Sequence, residues 1–366
     1  MFTDFLWGAA TSAYQVEGGH THADWVGAGA ACAHEARFPE DLDALAGLGL
    51  NAYRFSVEWS SIEPRRGQFD SDALDHYRDM VRACQARAIS PVVTLWHFTL
   101  PRWFAERGGW LNPEAISDFR RFAEHVAAAL PTPVAWISLN EPNVYALMGY
   151  VAGLWPPHRS RPDVALRILS RLRAAHRAAL PVLRATGAPV GIAHHYAVLA
   201  SASALSLAPA ADALFNRAFL HEPADFLGLN YYTRFHFAGF QMLKPDGPTQ
   251  MGWEIYPEGL QEAIQAFSVR RLPIVVTENG VATEDDALRA SFIQQHIKVL
   301  QRTDADVRGY FYWSLLDNFE WTEGFRPRFG LIGVDHATQA RSIRPSAWAY
   351  AQIALNASNG ERHLRQ

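Results

Sequence analysis

The sequence has little cysteine and no long apolar run. Only two cysteines occur among its 366 residues. Cys32 and Cys84 are far apart and match no zinc-type spacing, so we expect reduced, structural thiols and no disulfide framework. No apolar stretch of about 18 residues occurs, so no membrane-spanning helix is predicted. Residues 1–8 lack the basic and apolar regions of a signal peptide, and a cytoplasmic location is therefore expected.

An excess of one charge is also missing. The chain carries 33 Lys+Arg against 37 Asp+Glu, a net charge of −4. That balance gives no reason to expect a nucleic acid or an anionic membrane as partner, and it says nothing about oligomeric state. No linker, low-complexity tract or internal repeat interrupts the sequence, and 49% of its residues are hydrophobic. A single domain over residues 1–366 is the simplest expectation.

Eight short apolar runs are present, rich in β-branched or aromatic residues and nearly continuous. They are Phe5 to Ala10, Ala52 to Trp59, Pro91 to His97, Val134 to Asn140, Val190 to Ala197, Phe226 to Tyr232, Ile274 to Glu278 and Gly309 to Leu316. Such runs are typical of parallel strands covered on both faces. Helical patterns separate them, among them 40–49 and 163–180, the second expected to end at Pro181. We predict a (β/α)8 barrel, with its active site at the C-terminal strand ends. The alternative, a doubly wound sheet, is disfavoured because no Gly-x-Gly-x-x-Gly follows the first run.

Two carboxylates follow apolar runs directly. Glu141 stands in Asn140-Glu141-Pro142 after the fourth run, and Glu278 stands in Thr277-Glu278-Asn279-Gly280 after the seventh. A buried polar group without a partner costs about 1–3 kcal/mol, so packing alone rarely explains two acids in such places. Two facing carboxylates are the minimum needed to break a glycosidic bond.

Other strand ends carry amide, imidazole, guanidinium and phenol groups. These groups suit a neutral polyol, which needs hydrogen-bond donors, acceptors and flat apolar rings. The chain also has 12 Trp, enough to serve both a large core and a sugar-binding cleft. The segments concerned contain Gln15, Arg54, His97, Asn140, Asn230, Tyr232, Glu320 and Trp321.

These segments together resemble glycoside hydrolase family 1, the β-glucosidase-type retaining β-glycosidases. The matching stretches run in the family's order: residues 5–18, 51–59, 94–103, 139–142, 226–233, 277–280 and 312–335. The resemblance implies that Glu278 is the nucleophile and Glu141 the acid/base. It also implies that Arg54 and Tyr232 hold the Glu278 carboxylate and keep its pKa low.

The resemblance also implies a set of sugar contacts. Gln15, His97, Asn140 and Glu320 match contacts to the non-reducing sugar, and Trp313 and Trp321 match the rings around it. Trp253 is expected on the leaving-group side. Asn230 is also a candidate sugar contact, because it lies at the end of the sixth run. No metal and no organic cofactor are implied.

The chain departs from the family pattern by being short. Loops are reduced around 18–38 and 197–224, where relatives build the outer cleft, and Phe98 stands where many members have Trp. These motifs predict a complete inner sugar site and a reduced outer site. We therefore expect a shallow, open mouth that admits bulky leaving groups.

The predicted function is retaining exo-hydrolysis of neutral β-glucosides or related β-glycosides. Glu320 would repel a 6-phosphate, but a carboxylate there does not choose among glucose, galactose and fucose. Three alternatives stay open: a transglycosylating β-glycosidase, a catalytically silent sugar-binding barrel, and a metal-dependent enzyme. The last would use His194 and His195, for which the sequence supplies no matching ligand spacing, so we expect structural or cleft-lining roles for them.

Overall fold

Eight parallel strands form a closed barrel in the computed structural model, which describes residues 2–201, 206–239 and 241–364. The barrel strands are β1 Leu6–Ala10, β2 Ala52–Ser56, β3 Ser90–Thr94, β4 Ala135–Asn140, β5 Val190–Ser201, β6 Leu227–Ala238, β8 Ile274–Asn279 and β9 Val307–Trp313. A two-residue strand, β7 Gln241–Met242, pairs antiparallel with the end of β6. A separate hairpin pairs β10 Ile332–Val334 with β11 Arg341–Ile343.

The barrel closes because β1 has a neighbour on each side. Ala10 pairs with Arg54 of β2 and with Trp313 of β9. Every residue of β1, β2, β4 and β8 is buried, as expected of parallel strands covered on both faces. The prediction of a (β/α)8 barrel is thus confirmed.

Helices lie between the strands. They are α1 Ala13–Val16, α2 His34–Gly47, α3 Trp59–Ile62, α4 Ser71–Ala86, α5 Arg102–Glu106, α6 Ala115–Ala129, α7 Pro142–Ala146, α8 Pro162–Arg184, α9 Ala208–Phe215, α10 Pro257–Ser268, α11 Asp286–Leu300 and α12 Pro345–Leu364. Short 3₁₀ turns cover Gly109–Leu111 and Trp321–Glu323, and a π turn covers Leu147–Val151. No helix in the described part of the chain is both long enough and apolar enough to cross a bilayer.

Two helices differ from the sequence prediction, both at a proline. The α8 helix continues past Pro181 to Arg184, and α2 begins at His34 and runs through Pro39. A proline leaves the carbonyl four residues earlier without its helical donor. Both prolines lie on the exposed side of their helices, as do Arg177 and Glu35 four residues before them. Water can therefore satisfy the freed carbonyls.

The strands β5 and β6 are longer than their apolar runs. They continue side by side to Ser201 and Ala238, where the pairing joins residues 198–201 to 234–237. Helix α9 lies in the segment between them. The reduced loop predicted around 197–224 thus contains strand and helix, and residues 202–205 of it lie outside the described residues.

The reduced loop around 18–38 is attached to the barrel by a buried ion pair. His20 Nε2 lies 3.3 Å from Glu17 Oε2, and Tyr77 donates to the same oxygen at 2.8 Å. Burial opposes the charge on His20, but the hydrogen bond that His20 donates to Glu17 and the charge of Glu58 raise the pKa of His20 to about 9. The folded loop therefore holds a protonated histidine at neutral pH.

Loss of this ion pair should lower stability in a pH-dependent way. An unfolded histidine has a pKa near 6.5, so its contribution is complete below that pH and disappears as pH rises through about 9. For His20→Gln we expect the free energy of unfolding at pH 6 to fall by about 1–3 kcal/mol. Denaturant unfolding at pH 6 and pH 9.5 measures this. His22→Gln, at an exposed neighbouring position, is the control. An equal loss at both pH values would contradict the assignment.

Candidate active site

The two carboxylates predicted to act together lie at the C-terminal ends of β4 and β8. Glu278 is the fifth residue of β8, and Glu141 directly follows β4. Their exposed fractions are only 3% and 7%. Glu141 adopts a left-handed backbone conformation with φ of 41°, which is strained for a residue with a side chain. This turn ends the strand, and Pro142 then begins α7 in the first-turn position that suits proline.

Both oxygens of Glu278 accept hydrogen bonds from buried donors. Arg54 Nη1 lies 2.7 Å from Oε1, and the Tyr232 hydroxyl lies 2.6 Å from Oε2. Arg54 also donates to the carbonyl of Thr277 at 3.0 Å, which fixes the guanidinium against β8. The structure thus brings together Glu278, Arg54 and Tyr232, and it fixes the plane of the carboxylate.

Glu141 is held through one oxygen. Its Oε1 accepts from Asn230 Nδ2 at 2.8 Å and lies 3.0 Å from His195 Nδ1. No hydrogen bond from the described residues reaches its Oε2. That oxygen is therefore free to exchange a proton with a bound molecule, whereas both oxygens of Glu278 are already occupied.

A chain of hydrogen bonds connects the two acids. Asn140 Oδ1 accepts from Arg54 Nη2 at 2.6 Å and from Asn230 Nδ2 at 3.2 Å. The same Asn230 amide reaches Glu141, and the same guanidinium reaches Glu278. In the sheet, Asn230 is also paired in register with Glu278. The two carboxylates therefore share partners at one end of the barrel.

Burial and mutual repulsion determine the protonation of this pair. Burial, together with the charge of Glu141, raises the pKa of Glu278 to about 7 against the opposing effects of Arg54 and Tyr232. For Glu141, burial is outweighed by His195, Asn230 and Arg54, which lower the pKa. The low pKa expected for Glu278 is therefore not found, because removal from water outweighs its two donors. Coupled carboxyls titrate as a pair, and this pair retains a proton close to neutral pH.

A third acid belongs to the same region. The pKa of Glu320 is raised to about 8, first by burial and then by the charges of Glu278 and Glu141. Gln15 Nε2 lies 3.3 Å from Glu320 Oε2 and donates to the carbonyl of Phe319 at 2.9 Å. Three carboxyls in one buried region make it unfavourable for an anion.

His97 has a buried nitrogen without a partner. Its Nε2 pairs with the Asn140 amide at 3.1 Å, but no hydrogen bond reaches its buried Nδ1 in the described residues. Burial and the charge of Arg54 lower the pKa of His97 well below its usual value, so the ring is neutral. The Asn140 amide is a donor, so Nε2 accepts and the proton resides on Nδ1. This N–H is available to a ligand hydroxyl.

Aromatic rings surround the imidazole of His97. The ring of Trp313 is near-parallel to it at 5.9 Å, and that of Trp321 at 6.2 Å. Trp321 also contacts Trp25 at 4.8 Å and Trp155 at 5.6 Å between ring centroids. Trp25 comes from the reduced loop around 18–38, so this short loop still supports an aromatic wall.

Trp253 packs against Tyr232, the residue that donates to Glu278. Its ring centroid is 5.4 Å from that of Tyr232 and 6.2 Å from that of Phe329, and it is half-buried. The position suits the outer part of a ligand more than a fully enclosed inner ring.

His195 was not among the predicted site residues. The sequence analysis gave His194 and His195, in the fifth run, only structural or cleft-lining roles and did not distinguish between them. In the sheet, His195 pairs in register with Asn230, which faces the site. Because side chains alternate along β5, only one of the two histidines faces the site, and the register with β6 shows that it is His195.

The same alternation separates His195 from His194. His194 Nε2 lies 2.8 Å from the carbonyl of Asn216, on the opposite face of β5 from Glu141. Adjacent strand residues point to opposite faces, so the two imidazoles do not converge on one ion. No cluster of three or more His, Cys, Asp or Glu suited to a metal occurs in residues 2–201, 206–239 and 241–364.

Comparison with known proteins assigns the chain to a family of carbohydrate enzymes. The family model for glycosyl hydrolase family 1 matches residues 1–212 and 211–360. The chain therefore belongs to glycosyl hydrolase family 1, as its motifs predicted, and is an O-glycoside hydrolase of the β-glucosidase type.

Particular relatives cover nearly the whole chain. Beta-glucosidase A of Thermotoga maritima is 32% identical over 437 positions, covering 96% of this chain and 97% of the relative. That alignment is longer than the 366-residue chain, so the relative has segments that this chain lacks. A galactolipid galactosyltransferase of Arabidopsis thaliana is 29% identical over 349 positions, covering 83% of this chain and 55% of the relative.

Solved structures agree with this assignment. A beta-glycosidase from Pyrococcus horikoshii superimposes with a TM-score of 0.91 at 37% identity, covering 97% of this chain and 95% of the other. A beta-glucosidase from Thermotoga maritima in complex with glucoimidazole gives a TM-score of 0.88 at 29% identity, covering 97% of this chain and 99% of the other.

Removal of the Tyr232 hydroxyl should lower catalytic activity without lowering the stability of the fold. For Tyr232→Phe we expect kcat/KM on aryl β-glucosides to fall by about 10- to 100-fold, because a short hydrogen bond to a charged group is lost. Tyr231→Phe is the matched control, since the Tyr231 hydroxyl bonds the carbonyl of Tyr256 outside the site. Steady-state kinetics measure kcat/KM of both variants, and a melting curve for each shows whether its fold is intact. Equal losses in the two variants would argue against the role of Tyr232.

Proposed function

We propose that this chain is a retaining exo-β-glycosidase that hydrolyses neutral β-glucosides or related β-glycosides by double displacement. The observation that carries the proposal is the asymmetry of the two connected carboxyls. Glu278 is fixed through both oxygens, whereas Glu141 keeps one oxygen free of the described donors. A fixed carboxylate suits attack on carbon, and a free oxygen suits proton transfer.

In the first displacement, an oxygen of Glu278 attacks the anomeric carbon from the side opposite the leaving group. The bond to the leaving oxygen breaks, and Glu141 supplies the proton that this oxygen takes up. The reactive state requires the shared proton of the pair on Glu141 and the charge on Glu278, the reverse of the distribution that their pKa values favour in the free site. Arg54 and Tyr232 stabilise that charge before attack and orient the carboxylate.

In the second displacement, water replaces the enzyme at the anomeric carbon. Glu141, now ionised, removes a proton from water as the new C–O bond forms and the bond to Glu278 breaks. The Glu278 carboxylate returns to its donors, and the sugar leaves with its original configuration. Because Glu278 carries no charge while esterified, it no longer raises the proton affinity of Glu141 during this step.

The sugar contacts are proposed from the groups that surround the pair. Asn140 and the Nδ1–H of His97 are placed for hydroxyls of the inner sugar, with Gln15 and Glu320 at its far side and Trp313 and Trp321 as its apolar walls. Asn230 positions Glu141, and Trp253 lines the leaving-group side. The admission of bulky leaving groups stays a prediction. We also propose that the chain acts as a single domain, because β1 and β9 close one barrel.

A variant of the same chemistry is transglycosylation. If a sugar hydroxyl reaches the glycosyl-enzyme before water, Glu141 deprotonates that hydroxyl and transfer results. The similarity to a plant galactosyltransferase supports this variant, although the chain spans only about half of that protein. Product analysis of the wild-type reaction with added acceptor sugar measures the ratio of transfer to hydrolysis.

Azide rescue distinguishes the roles of the two acids. Glu278→Ala should lose about 10⁴-fold or more in kcat, and azide should restore turnover with an α-glycosyl azide as product. Glu141→Ala should retain activity on dinitrophenyl glycosides, whose leaving group needs no proton, and azide should give a β-glycosyl azide.

The control for azide rescue is Glu262→Ala, at an exposed position on α10. It should behave as the wild type in both assays. Full activity of Glu278→Ala, or the same azide anomer from both variants, would overturn the proposal. A wild-type chain that binds glucosides without turnover would indicate the silent sugar-binding barrel.

Charge selectivity follows from the three acids. At pH values above about 8, where Glu320 is ionised, we expect kcat/KM for an aryl β-glucoside to exceed that for its 6-phosphate by about 100-fold or more, because the dianion would meet the Glu320 carboxylate in a region of low dielectric constant. In Glu320→Gln the ratio should decrease, mainly through faster reaction of the phosphate. Parallel assays of both substrates on both proteins test this. An unchanged ratio in the variant would place the selectivity elsewhere.

A further inference from the structure

The segment that carries Glu141 is attached to β5 at three points, and two of them involve His195. The Glu141 amide donates to the carbonyl of Ala193 at 2.7 Å, and Asn143 Nδ2 donates to the carbonyl of His195 at 2.8 Å. The third contact is the 3.0 Å pair between His195 Nδ1 and Glu141 Oε1. Backbone and side chain of His195 are thus both fixed relative to the start of α7.

The imidazole of His195 is itself held between aromatic rings. The Tyr232 ring is near-parallel to it at a centroid distance of 5.9 Å, and Phe215 meets it edge-on at 5.7 Å. Tyr232 is the residue that donates to Glu278. The partner of one carboxyl therefore packs on the partner of the other, which limits their relative movement.

We propose that His195 is a positioning residue for Glu141, holding its Oε1 in both displacements so that Oε2 faces the reacting oxygen. This inference rests on the proposed role of Glu141. The imidazole can donate Nδ1–H to the carboxylate and, when it is neutral, accept the O–H of a protonated Glu141, in both cases without moving. The contact therefore survives the change of protonation that an acid/base residue undergoes.

The same contact influences the proton affinity of Glu141. Burial raises the pKa of Glu141, but the charge and hydrogen bond of His195 are the largest opposing effects and lower it. Besides His195, other titratable groups act on Glu141 through their charges: Arg54 of β2, Tyr232 of β6, Glu278 of β8, Glu320 after β9 and, from the opposite face of β5, His194. Of all these groups, His195 alone lies within hydrogen-bond distance in the described contacts.

The test uses His195→Phe, which keeps an aromatic ring between Tyr232 and Phe215 but removes the nitrogen. We expect kcat/KM for alkyl β-glucosides, which need the proton of Glu141, to fall by about 10- to 100-fold. Activity on dinitrophenyl β-glucosides should change less than threefold, by the same reasoning. The basic limb of the pH profile for kcat/KM should move to higher pH, because the variant loses the group that favours ionised Glu141.

Two further variants keep the test decisive. His195→Asn retains a side-chain N–H and should lose less on alkyl glucosides than His195→Phe. His194→Phe changes the neighbouring imidazole, which bonds Asn216 instead of Glu141, and should leave the basic limb in place. Melting curves show whether each variant is folded. In a Glu141→Gln background, His195→Phe should have no further effect on alkyl glucosides.

The outcomes separate this inference from the proposed function. Suppose that Glu141→Gln loses activity on alkyl glucosides. If folded His195→Phe then has the leaving-group dependence and the basic limb of the pH profile that the wild type has, His195 only fills space and the inference is wrong. If Glu141→Gln itself retains full activity on alkyl glucosides, the proposed acid/base role fails first. A parallel loss on both substrate types in His195→Phe would also overturn the inference.

Discussion

The guanidinium of Arg54 is the interaction on which the site depends. It is 1% exposed, and it contacts Glu278, Asn140 and the carbonyl of Thr277 at once. A buried cation is tolerated only when it is paired and its donors are satisfied. Those partners come from β4 and β8, which are not neighbours in the sheet. The charge of one side chain thereby determines where two strands must end and which groups they must present.

The region around this cation contains three acidic side chains, and their number affects protonation more than any single one of them does. Three carboxyls compete for protons in a place with little water, and the pKa values of Glu278 and Glu320 are raised to about 7 and about 8. A site of this kind holds protons near neutral pH that an exposed carboxyl would have released. In the proposed mechanism, the proton that the pair of Glu141 and Glu278 retains is the one that a leaving group takes up.

The fold, and the position of most candidate site residues at one end of the barrel, could be predicted from sequence because both depend on local patterns. Continuous apolar runs indicate covered parallel strands, and polar residues at their ends indicate one rim of a barrel. His195 was missed since it lies inside an apolar run, beside a second histidine, where only the register of β5 on β6 shows which of the two faces the site. The rise in the pKa of Glu278 was also missed, because the extent of burial is a property of the assembled barrel. The two helices that pass through proline depended on solvent exposure, which sequence pattern does not give.

The closure of the barrel has a consequence for biosynthesis. Leu6 and its neighbours pair with β9, beginning at Gly309, so one edge of the first strand has no partner until nearly the whole chain has left the ribosome. Contacts this distant along a chain form slowly, and an unpaired strand edge can associate with other nascent chains. The pairing that completes the barrel, between β1 and β9, is thus the last to become possible during synthesis. The cellular yield should therefore depend on protection of the unpaired edge of β1.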